Sequence, residues 1–318
     1  MTTAASIDTD RATLEPFVHE AVFYRDAEEY LGQLLPFLEE GLDEREPVLV
    51  AVPSYNGELL RGGLGERAGQ VRFLNMLEAG RNPGKIIPWV LHAFATEHAP
   101  RRVRIVGEPI WPGRSATAYP ACVQHEALIN TAFAGRDATI VCPYDAQRLE
   151  PAAIADAVQT HPVLVQNGIR RISHGYIDGA ELAGDFNLPL PEPPAPVPTL
   201  TFDDRSVPRV RAFVAEVAAA AGLTGNRLAD LMLAANEVAI NSVTHGGGAG
   251  TVRLWATDED VVCEVIDAGR ITDPLAGRIP PAPDSERGRG LALVNYMCDL
   301  VRVHTTDGRT TTRLYVAR

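Results

Sequence analysis

Two polar side chains on one predicted helix have the types and the spacing to bind a phosphorylated ligand. Segment 231–246, LMLAANEVAINSVTHG, has apolar residues every three or four positions, which predicts a helix that ends near the glycines at 246–248. Glu237 and Asn241 are four residues apart, so they project from one face, one turn from each other. A carboxylate and a carboxamide within an apolar helix each need a polar partner. A metal ion and a nucleotide phosphate would supply such partners, whereas solvent would satisfy both groups if they lay at the surface.

A predicted hairpin follows this helix and ends in a second candidate motif. The apolar runs 251–256 and 261–266 flank a turn-like Thr-Asp-Glu-Asp segment, and the second run leads into Asp267 and Gly269. An aspartate at the end of a buried strand can accept a hydrogen bond from an exocyclic amine such as that of adenine, and a nearby glycine lets a flat ring approach the backbone. On its own, an Asp-x-Gly sequence is typical of any turn.

A third motif opens the next predicted helix. A loop rich in proline and arginine, 270–287, leads to Gly288-Arg289-Gly290-Leu291 and an apolar helix that continues to about residue 298. Glycines at a helix start leave backbone N–H groups accessible, and the helix dipole favours an anion there. The motif predicts a phosphate-binding helix start, although a flexible loop end would show the same residues.

In this order, Glu-x-x-x-Asn, Asp-x-Gly and Gly-x-Gly-Leu resemble the N, G1 and G2 boxes of the GHKL (Bergerat) ATP-binding fold, and within it the RsbW-like anti-sigma serine kinases. The resemblance covers about 199–318. It implies that Asn241 holds Mg²⁺ against the phosphates of ATP and that Glu237 is the catalytic general base toward a hydroxyl. It also implies a homodimer formed through this domain, a STAS-type anti-sigma factor antagonist as phosphorylation substrate, and a sigma factor as binding partner.

The same resemblance assigns the remaining ATP-binding residues. Asp267 would bind the adenine amine, Gly269 would admit the ring, and the backbone of the Gly-x-Gly motif would donate N–H groups to the phosphates. The full predicted set is Asn241, Asp267, Gly269, Arg287, Gly288, Arg289, Gly290 and Leu291, with Arg278 as a further candidate for phosphate contact. One position departs from the family, because Ile271 stands where a second glycine is frequent. This departure leaves the mobility of the lid, and with it turnover, as an open question.

Composition and charge limit the interpretation of the whole chain. The 318 residues and 34.3 kDa predict two domains. A net charge of -12 and a pI near 5.2 argue against a general nucleic-acid binder, because phosphate contacts need a basic surface. The four cysteines form no Cys-x-x-Cys pair, so reduced, buried thiols are expected. With no apolar run long enough to span a bilayer and no signal-peptide pattern at the start, the protein is predicted to be cytoplasmic.

The first half alternates predicted strands and helices, which is typical of a three-layer α/β domain with a mainly parallel sheet. Strands are predicted at 17–24, 47–52, 71–74, 103–106 and 138–143, and helices at 27–41, 57–62, 83–98 and 118–133. Asp26 is placed to cap the first helix. No Gly-x-x-x-x-Gly-Lys-[Ser/Thr] sequence is present, so a working P-loop is not expected.

Polar residues near the ends of these strands predict a sensory site. Ligand crevices in open α/β sheets lie beyond the carboxyl ends of the strands, and Glu108, Trp111 and Arg114 follow one such end. With His19 and Tyr24 they are the candidate sensory residues. A rigid, proline-bounded loop with Trp111 packed inward fits the same segment equally well.

Four short runs in this half resemble the MEDS sensory domain: HEAVFYR at 19–25, EPVLVAVP at 46–53, GEPIWP at 107–112 and HP at 161–162. The resemblance spans about 18–176. It implies a RecA-type fold that has lost its P-loop, and a sensing role without a named ligand. The predicted fold class is therefore α/β, with a three-layer RecA-like sensory domain followed by a two-layer Bergerat (GHKL) ATP-binding domain.

A proline-rich segment separates the two halves. Residues 187–198 hold six prolines in twelve positions, which prevents a helix and favours an extended polyproline spacer. The predicted domains are a sensory domain at 1–186 and an anti-sigma kinase domain at 199–318, held apart by this linker. The spacer would still allow one module to influence the other, and passive separation fits the sequence as well.

Three functional classes compete. The first is an ATP-dependent serine/threonine kinase that also sequesters a sigma factor. A sensor histidine kinase ranks lower, because a polyproline linker stands where a helical hairpin with an acceptor histidine is needed, and His125 has no following Thr-Pro. The third is a binding module without turnover, in which nucleotide sets the shape of a sigma-binding surface. This class stays open because Ile271 stands where the family often has glycine. None of the three requires a membrane or direct contact with nucleic acid.

Overall fold

A computed structural model describes residues 16–194, 196–279 and 289–318. The strands are β1 Phe17–Tyr24, β2 Val48–Val52, β3 Arg72–Asn75, β4 Val103–Gly107, β5 Ala138–Asp145, β6 Val163–Gln166, β7 Ile169–Ile172, β8 Thr199–Asp203, β9 Ala249–Ala256, β10 Asp260–Asp267, β11 Leu300–Thr306 and β12 Arg309–Ala317. The helices are α1 Ala27–Asp43, α2 Ser54–Leu64, α3 Met76–Ala79, α4 Pro83–Ile86, α5 His92–His98, α6 Tyr119–Ala132, α7 Pro151–Thr160, α8 Gly179–Asp185, α9 Val207–Ala220, α10 Gly225–His245 and α11 Arg289–Met297. None of the helices within these ranges has both the length and the apolar character that crossing a membrane requires.

Seven strands form the first sheet, in the order β3-β2-β4-β5-β1-β6-β7. Neighbouring strands pair in parallel, except β6 and β7, which are antiparallel. Alternate residues of β2 point to opposite faces, so Val50 joins an apolar cluster with α1 and α2, while Leu49 joins another with α5 and α6. Two helical layers therefore enclose one sheet, which confirms the predicted three-layer domain with a mainly parallel sheet.

Caps and prolines explain where the first helices begin and break. Asp26 caps α1 as predicted, since its Oδ1 accepts from the N–H of Glu29 at 2.9 Å. The predicted helix 83–98 is three consecutive pieces, because Pro88 has no N–H to bond a preceding carbonyl and the chain widens into a π-turn at Ile87–Leu91. The elements α3, α7, β6, β7 and α8 have no counterpart among the predicted ones.

Five antiparallel strands form the second sheet, in the order β11-β12-β10-β9-β8. Helices α9, α10 and α11 cover one face, where Val214, Leu231 and Val294 pack against Cys263 and Val265 of β10. The predicted hairpin at 251–266 is present as β9–β10. The sequence also indicates an edge strand at 199–202 and a hairpin turn at Asp307-Gly308, and these are present as β8 and β11–β12. The second half is a two-layer α/β domain, as predicted.

The proline-rich segment covers part of the other face of this sheet. Glu264 on β10 is fully buried between Arg253 of β9 and Arg313 of β12, its cross-strand neighbours. Nη2 of Arg313 also donates to the carbonyl of Pro191 at 2.7 Å. The segment is therefore bound to the sheet, and the prediction of a spacer that holds the two modules apart is wrong.

The two modules are in direct contact beside α11. The side-chain amide of Asn82 donates to the carbonyl of Asn295 at 2.8 Å, and the rings of Trp89 and Tyr296 lie 5.0 Å apart. These contacts join the start of α4 and the π-turn of the first module to α11 of the second, whose first turn contains Gly290. Helix α11 thus connects the motif at its start with the first module.

Candidate functional site

Helix α10 presents Glu237 and Asn241 together, as their spacing predicts. Ala235 and Val238 are buried in the core of the second domain, while Glu237 and Asn241 are partly exposed. The start of α11 lies directly against both polar groups, since a Cβ added to Gly290 would sit 3.1 Å from Oε2 of Glu237 and 3.5 Å from Nδ2 of Asn241. The acid, the amide and the glycine-led helix start therefore meet at one place.

The carboxylate of Asp267, at the end of β10, is held by two hydrogen bonds. Its Oδ1 accepts from the N–H of Gly269 at 2.8 Å, and its Oδ2 accepts from the hydroxyl of Ser242 at 2.6 Å. A carboxylate oxygen can accept two hydrogen bonds. Asp267 is thus fixed in orientation and still able to accept a hydrogen bond from the amine of a ligand.

Glycines allow the backbone to close tightly around Asp267. A Cβ added to Gly246 would lie 2.5 Å from Cγ of Asp267, and one added to Gly269 would lie 2.8 Å from Cα of Gly246. The N–H of Ala268 donates to the carbonyl of Gly246 at 3.0 Å, which ties the end of β10 to the end of α10. The glycine at the Asp-x-Gly motif is therefore required by close packing of backbone against backbone.

These elements enclose a cavity of about 580 Å³, within the range of small-molecule sites. Of the predicted ATP-binding residues, its wall includes Asn241, Asp267, Gly269, Gly290 and Leu291. Glu237 lies next to this wall, against Gly290. The three sequence motifs therefore face one shared space.

Threonines on β12 complete the cavity, and the sequence motifs do not contain them. Thr310 pairs with Asp267 across the ladder, and its hydroxyl donates to the carbonyl of Gly269 at 2.9 Å. Thr312 lies on the cavity wall as well. The available signal is the Thr-Thr-Thr run at 310–312, but sequence alone does not show that β12 is the strand beside β10.

The lid segment, residues 270–279, is attached at its first residues to the second domain. The N–H of Ile271 donates to Oγ1 of Thr305 at 3.0 Å, and Ile271 has no positive φ. Its backbone therefore does not require a glycine. The side chain of Ile271 also lines the cavity, so the departure from the family motif places an apolar group beside the site.

The far end of the lid contacts the first module. Nη2 of Arg278 lies 3.4 Å from Oε1 of Gln124 on α6, and Leu275 and Ile279 pack against the apolar cluster of the first sheet. Burial lowers the pKa of Arg278 to about 10. Arg278 lines a second cavity between the modules and not the first, so the structure does not support its predicted contact with phosphate.

Three predicted residues lie at or beyond the edge of what the structure describes. Arg287 and Gly288 fall outside the described residues. Arg289 is exposed in the first turn of α11 and is not part of the cavity wall. Their contacts with phosphate remain predictions.

Two of the five candidate sensory residues lie together in the first module. The hydroxyl of Tyr24 donates to Oε1 of Glu108 at 3.1 Å, and Nδ2 of Asn56 donates to Oε2 of Glu108 at 2.8 Å. All three are buried, and burial raises the pKa of Glu108 to about 8 despite these donors. Asn56 is absent from the predicted set, because it is an isolated polar residue in α2 with no motif around it.

The other three candidates lie elsewhere. The guanidinium of Arg114 is 4.3 Å from the ring centre of Trp111, and its Nη2 donates to the carbonyls of Gly80 and Arg81. Trp111 packs against the apolar cluster, as a rigid inward-packed loop predicts. His19 lies in the core beside α6. The five residues therefore do not form a single sensory site.

An antiparallel sheet under three helices, with a cavity bounded by α10, the end of β10 and the start of α11, defines the second half as a GHKL-type, ATPase-like domain. Comparison with family models agrees, because residues 200–316 match the histidine kinase-like ATPase domain. Residues 18–162 match MEDS, the methanogen/methylotroph, DcmR sensory domain. The chain carries a MEDS domain followed by a histidine kinase-like ATPase domain, and both resemblances are confirmed.

Comparisons of the chain with solved structures and with curated proteins do not extend the assignment beyond these two domains. Among solved structures, the chain is similar to the RsbU and RsbW domains of Rv1364c from Mycobacterium tuberculosis, with 26% identity, a TM-score of 0.30, and coverage of 39% of this chain and 34% of that one. The chain thus spans about a third of that structure. No curated protein matches.

Proposed function

We propose that the protein is an ATP-dependent kinase of the anti-sigma type, which phosphorylates a serine or threonine of a STAS-type antagonist and sequesters a sigma factor. In this proposal it acts as a homodimer through its second domain, and the MEDS domain adjusts its activity. The observation that carries the proposal is the convergence at Gly290, where Glu237 and Asn241 meet a helix start on the cavity that Asp267 borders.

The residues present fit a magnesium–nucleotide complex. The amide oxygen of Asn241 is a hard oxygen donor of the kind that Mg²⁺ prefers, and the start of α11 offers backbone N–H groups and the positive end of a helix dipole. At the other end, the free lone pairs of Asp267 match the donor of an adenine amine. When bound, Mg-ATP would supply the phosphoryl group to be transferred.

Each side chain has a separate task in the proposed reaction. Glu237 accepts the proton from the attacking hydroxyl, as a general base. Asn241 would hold the metal and the phosphates, and the N–H groups near Gly290 would stabilise the charge of the phosphates. Ser242 and the N–H of Gly269 keep the carboxylate of Asp267 in one orientation.

The surface of α10 supports binding of a protein partner. Leu233 and Ile240, seven residues apart on this helix, are 41% and 42% exposed. Residues seven apart lie on the same face of a helix. An exposed apolar face next to Glu237 would place a partner protein close to the proposed general base.

Contacts of the lid support control by the sensory domain. Arg278 contacts the first module, and Leu275 and Ile279 both pack against it and line the cavity. A change in the MEDS domain that moves α6 would therefore alter how the lid covers the nucleotide.

Incubation of the full chain with γ-labelled ATP, Mg²⁺ and a candidate antagonist tests the proposal. Label on a serine or threonine of the antagonist is expected, and Glu237→Ala should slow its appearance strongly. Label on a histidine of the protein itself would indicate a histidine kinase instead. Nucleotide binding without any transfer would favour the alternative of a sigma-binding module without turnover. The apolar Ile271 in the cavity wall, where the family often has glycine, is the reason to test this alternative.

A further inference from the structure

Four side chains that can bind metals converge inside the MEDS domain, away from the nucleotide site. They are His19 of β1, Glu126 of α6, Cys142 of β5 and His161, which precedes β6. One ligand atom from each lies within 4.8 Å of all the others. Each of the four residues is at most 2% exposed.

The hydrogen bond of His19 fixes which ring nitrogen carries its proton. Its Nδ1 lies 3.1 Å from Oδ1 of Asn130. The amide of Asn130 is oriented by donation from Nδ2 to the carbonyls of Thr160 at 2.8 Å and Ala127 at 3.2 Å, so its oxygen faces His19. Nδ1 of His19 must therefore donate, and neutral His19 presents the lone pair of Nε2 to Glu126 and Cys142.

His161 is constrained in the same way. Its Nδ1 lies 2.9 Å from the carbonyl of Ala157, which can only accept, and 2.8 Å from the hydroxyl of Thr160. Nδ1 of His161 therefore carries the proton, and its bare Nε2 lies 3.2 Å from Oε2 of Glu126. A second-shell acceptor on Nδ1 that leaves Nε2 free is the usual arrangement of a metal-binding histidine.

The result is a set of lone pairs that face one another, with the weak S–H of Cys142, 3.4 Å from Nε2 of His19, as the one proton donor among the four side chains. Nε2 of His161 and both carboxylate oxygens of Glu126 have no hydrogen-bond partner among the described residues. Buried lone pairs in this arrangement repel one another unless a cation lies between them. A divalent ion would also be neutralised here, because one thiolate and one carboxylate supply two negative charges.

The spacing suits a tetrahedral ion. Zinc bonds of about 2.0–2.1 Å to nitrogen or oxygen and about 2.3 Å to sulfur give ligand–ligand edges of roughly 3.3–3.6 Å in a tetrahedron. The corresponding separations are 3.3 Å from His19 Nε2 to Glu126, 3.2 Å from His161 Nε2 to Glu126, and 3.4 Å from His19 Nε2 to Cys142 Sγ.

We propose that His19, Glu126, Cys142 and His161 bind one Zn²⁺ in a closed, tetrahedral site. The ion joins two central strands of the sheet to the helices that cover one face. Cys142 releases its proton on binding, since the thiolate is the ligand. The two histidines neither gain nor lose a proton on binding, because both imidazoles bind in their neutral form.

The primary test measures the metal content of the wild-type protein, because this measurement does not depend on whether a variant folds. After purification without a metal-affinity tag and after dialysis, elemental analysis should find one zinc per chain. Protein produced with cobalt in place of zinc should show ligand-field bands of a tetrahedral ion and a thiolate-to-cobalt charge-transfer band. Substoichiometric metal without that band would overturn the proposal, and a stoichiometric ion other than zinc would overturn the choice of metal.

Matched cysteine variants locate the ion. Cys142→Ala should lose the charge-transfer band and most of the bound metal, whereas Cys122→Ala should keep both. Cys122 is a suitable control because it is equally buried in the same apolar cluster but is not one of the four convergent side chains. Equal retention of the metal and the band in both variants would place the ion elsewhere and overturn the proposal.

Discussion

Burial, aided by the nearby charge of Asp145, moves the pKa of Glu108 toward neutral pH. Glu108 is fully buried, and its hydrogen bonds from Tyr24 and Asn56 only partly offset the cost of burying its charge. Its pKa is therefore raised to about 8 from the usual 4.5. The folded protein holds a proton on Glu108 at pH values where the unfolded chain has lost it.

This linkage predicts that folding weakens as the pH rises. Between about pH 4.5 and pH 8 the folded state binds the extra proton, so the free energy of unfolding should fall through this window, by an amount on the order of a few kcal/mol. Glu108→Gln cannot titrate and should remove this contribution. Denaturant unfolding of both proteins at several pH values measures it, and parallel pH curves for the two would contradict the buried, protonated acid.

At the scale of elements, the site depends on three chain segments that approach closely. The ends of α10 and β10 touch through Gly246 and Gly269, and the start of α11 touches α10 through Gly290. The two contacts differ in what a side chain would meet. An added Cβ at Gly269 meets backbone, whereas one at Gly290 meets the ends of the side chains Glu237 and Asn241.

Alanine at these two glycines should therefore have different effects. Gly269→Ala forces the backbone to shift and should lower the free energy of unfolding by about 1–3 kcal/mol. Gly290→Ala should leave stability nearly unchanged, because the neighbouring side chains can move, but should weaken nucleotide binding as they do. Chemical denaturation and nucleotide titration of both variants test this contrast, and similar stability losses in the two would refute it.

Periodicity and turn residues predict most of the elements, because they are local properties of the chain. The hairpin β11–β12 follows from Asp307-Gly308, and α10 follows from its apolar spacing. The contribution of Thr310 to the cavity depends instead on which strand lies beside β10, and that is a long-range property. The same limit explains why His19 is predicted as a sensory residue while its neighbours Cys142 and His161 are not.

At the scale of the whole molecule, the two domains share a contact that reaches the proposed nucleotide site. Asn295 on α11 accepts from Asn82 of the first module and donates to the carbonyl of Gly277 in the lid at 3.2 Å. Gly84 lies against the same side chain, since an added Cβ would be 2.2 Å from Oδ1 of Asn295. One asparagine therefore links the sensory domain, the lid and α11.

Gly84→Ala should disturb this link without touching the cavity. The new methyl group displaces Asn295 and breaks its bond to the lid, so a fluorescent nucleotide should dissociate severalfold faster from the variant than from the wild type, which corresponds to about 1 kcal/mol. Gly62→Ala is the matched control, because Gly62 is also helical and an added Cβ there meets nothing within 4 Å. Equal dissociation rates in all three proteins would show that the interface does not hold the lid.

The central claim is that Glu237 and Asn241 stand side by side at one nucleotide site with different tasks. Calorimetric titration of Mg-ATP into the wild type, Asn241→Ala and Glu237→Ala tests this most directly, with the exposed Glu216→Ala of α9 as the control. We expect binding by the wild type, the control and Glu237→Ala, and none by Asn241→Ala. Phosphoryl transfer by Glu237→Ala should be slower by about 10²–10⁴-fold. Equal loss of binding in the two site variants, or unchanged binding in both, would contradict the proposed site.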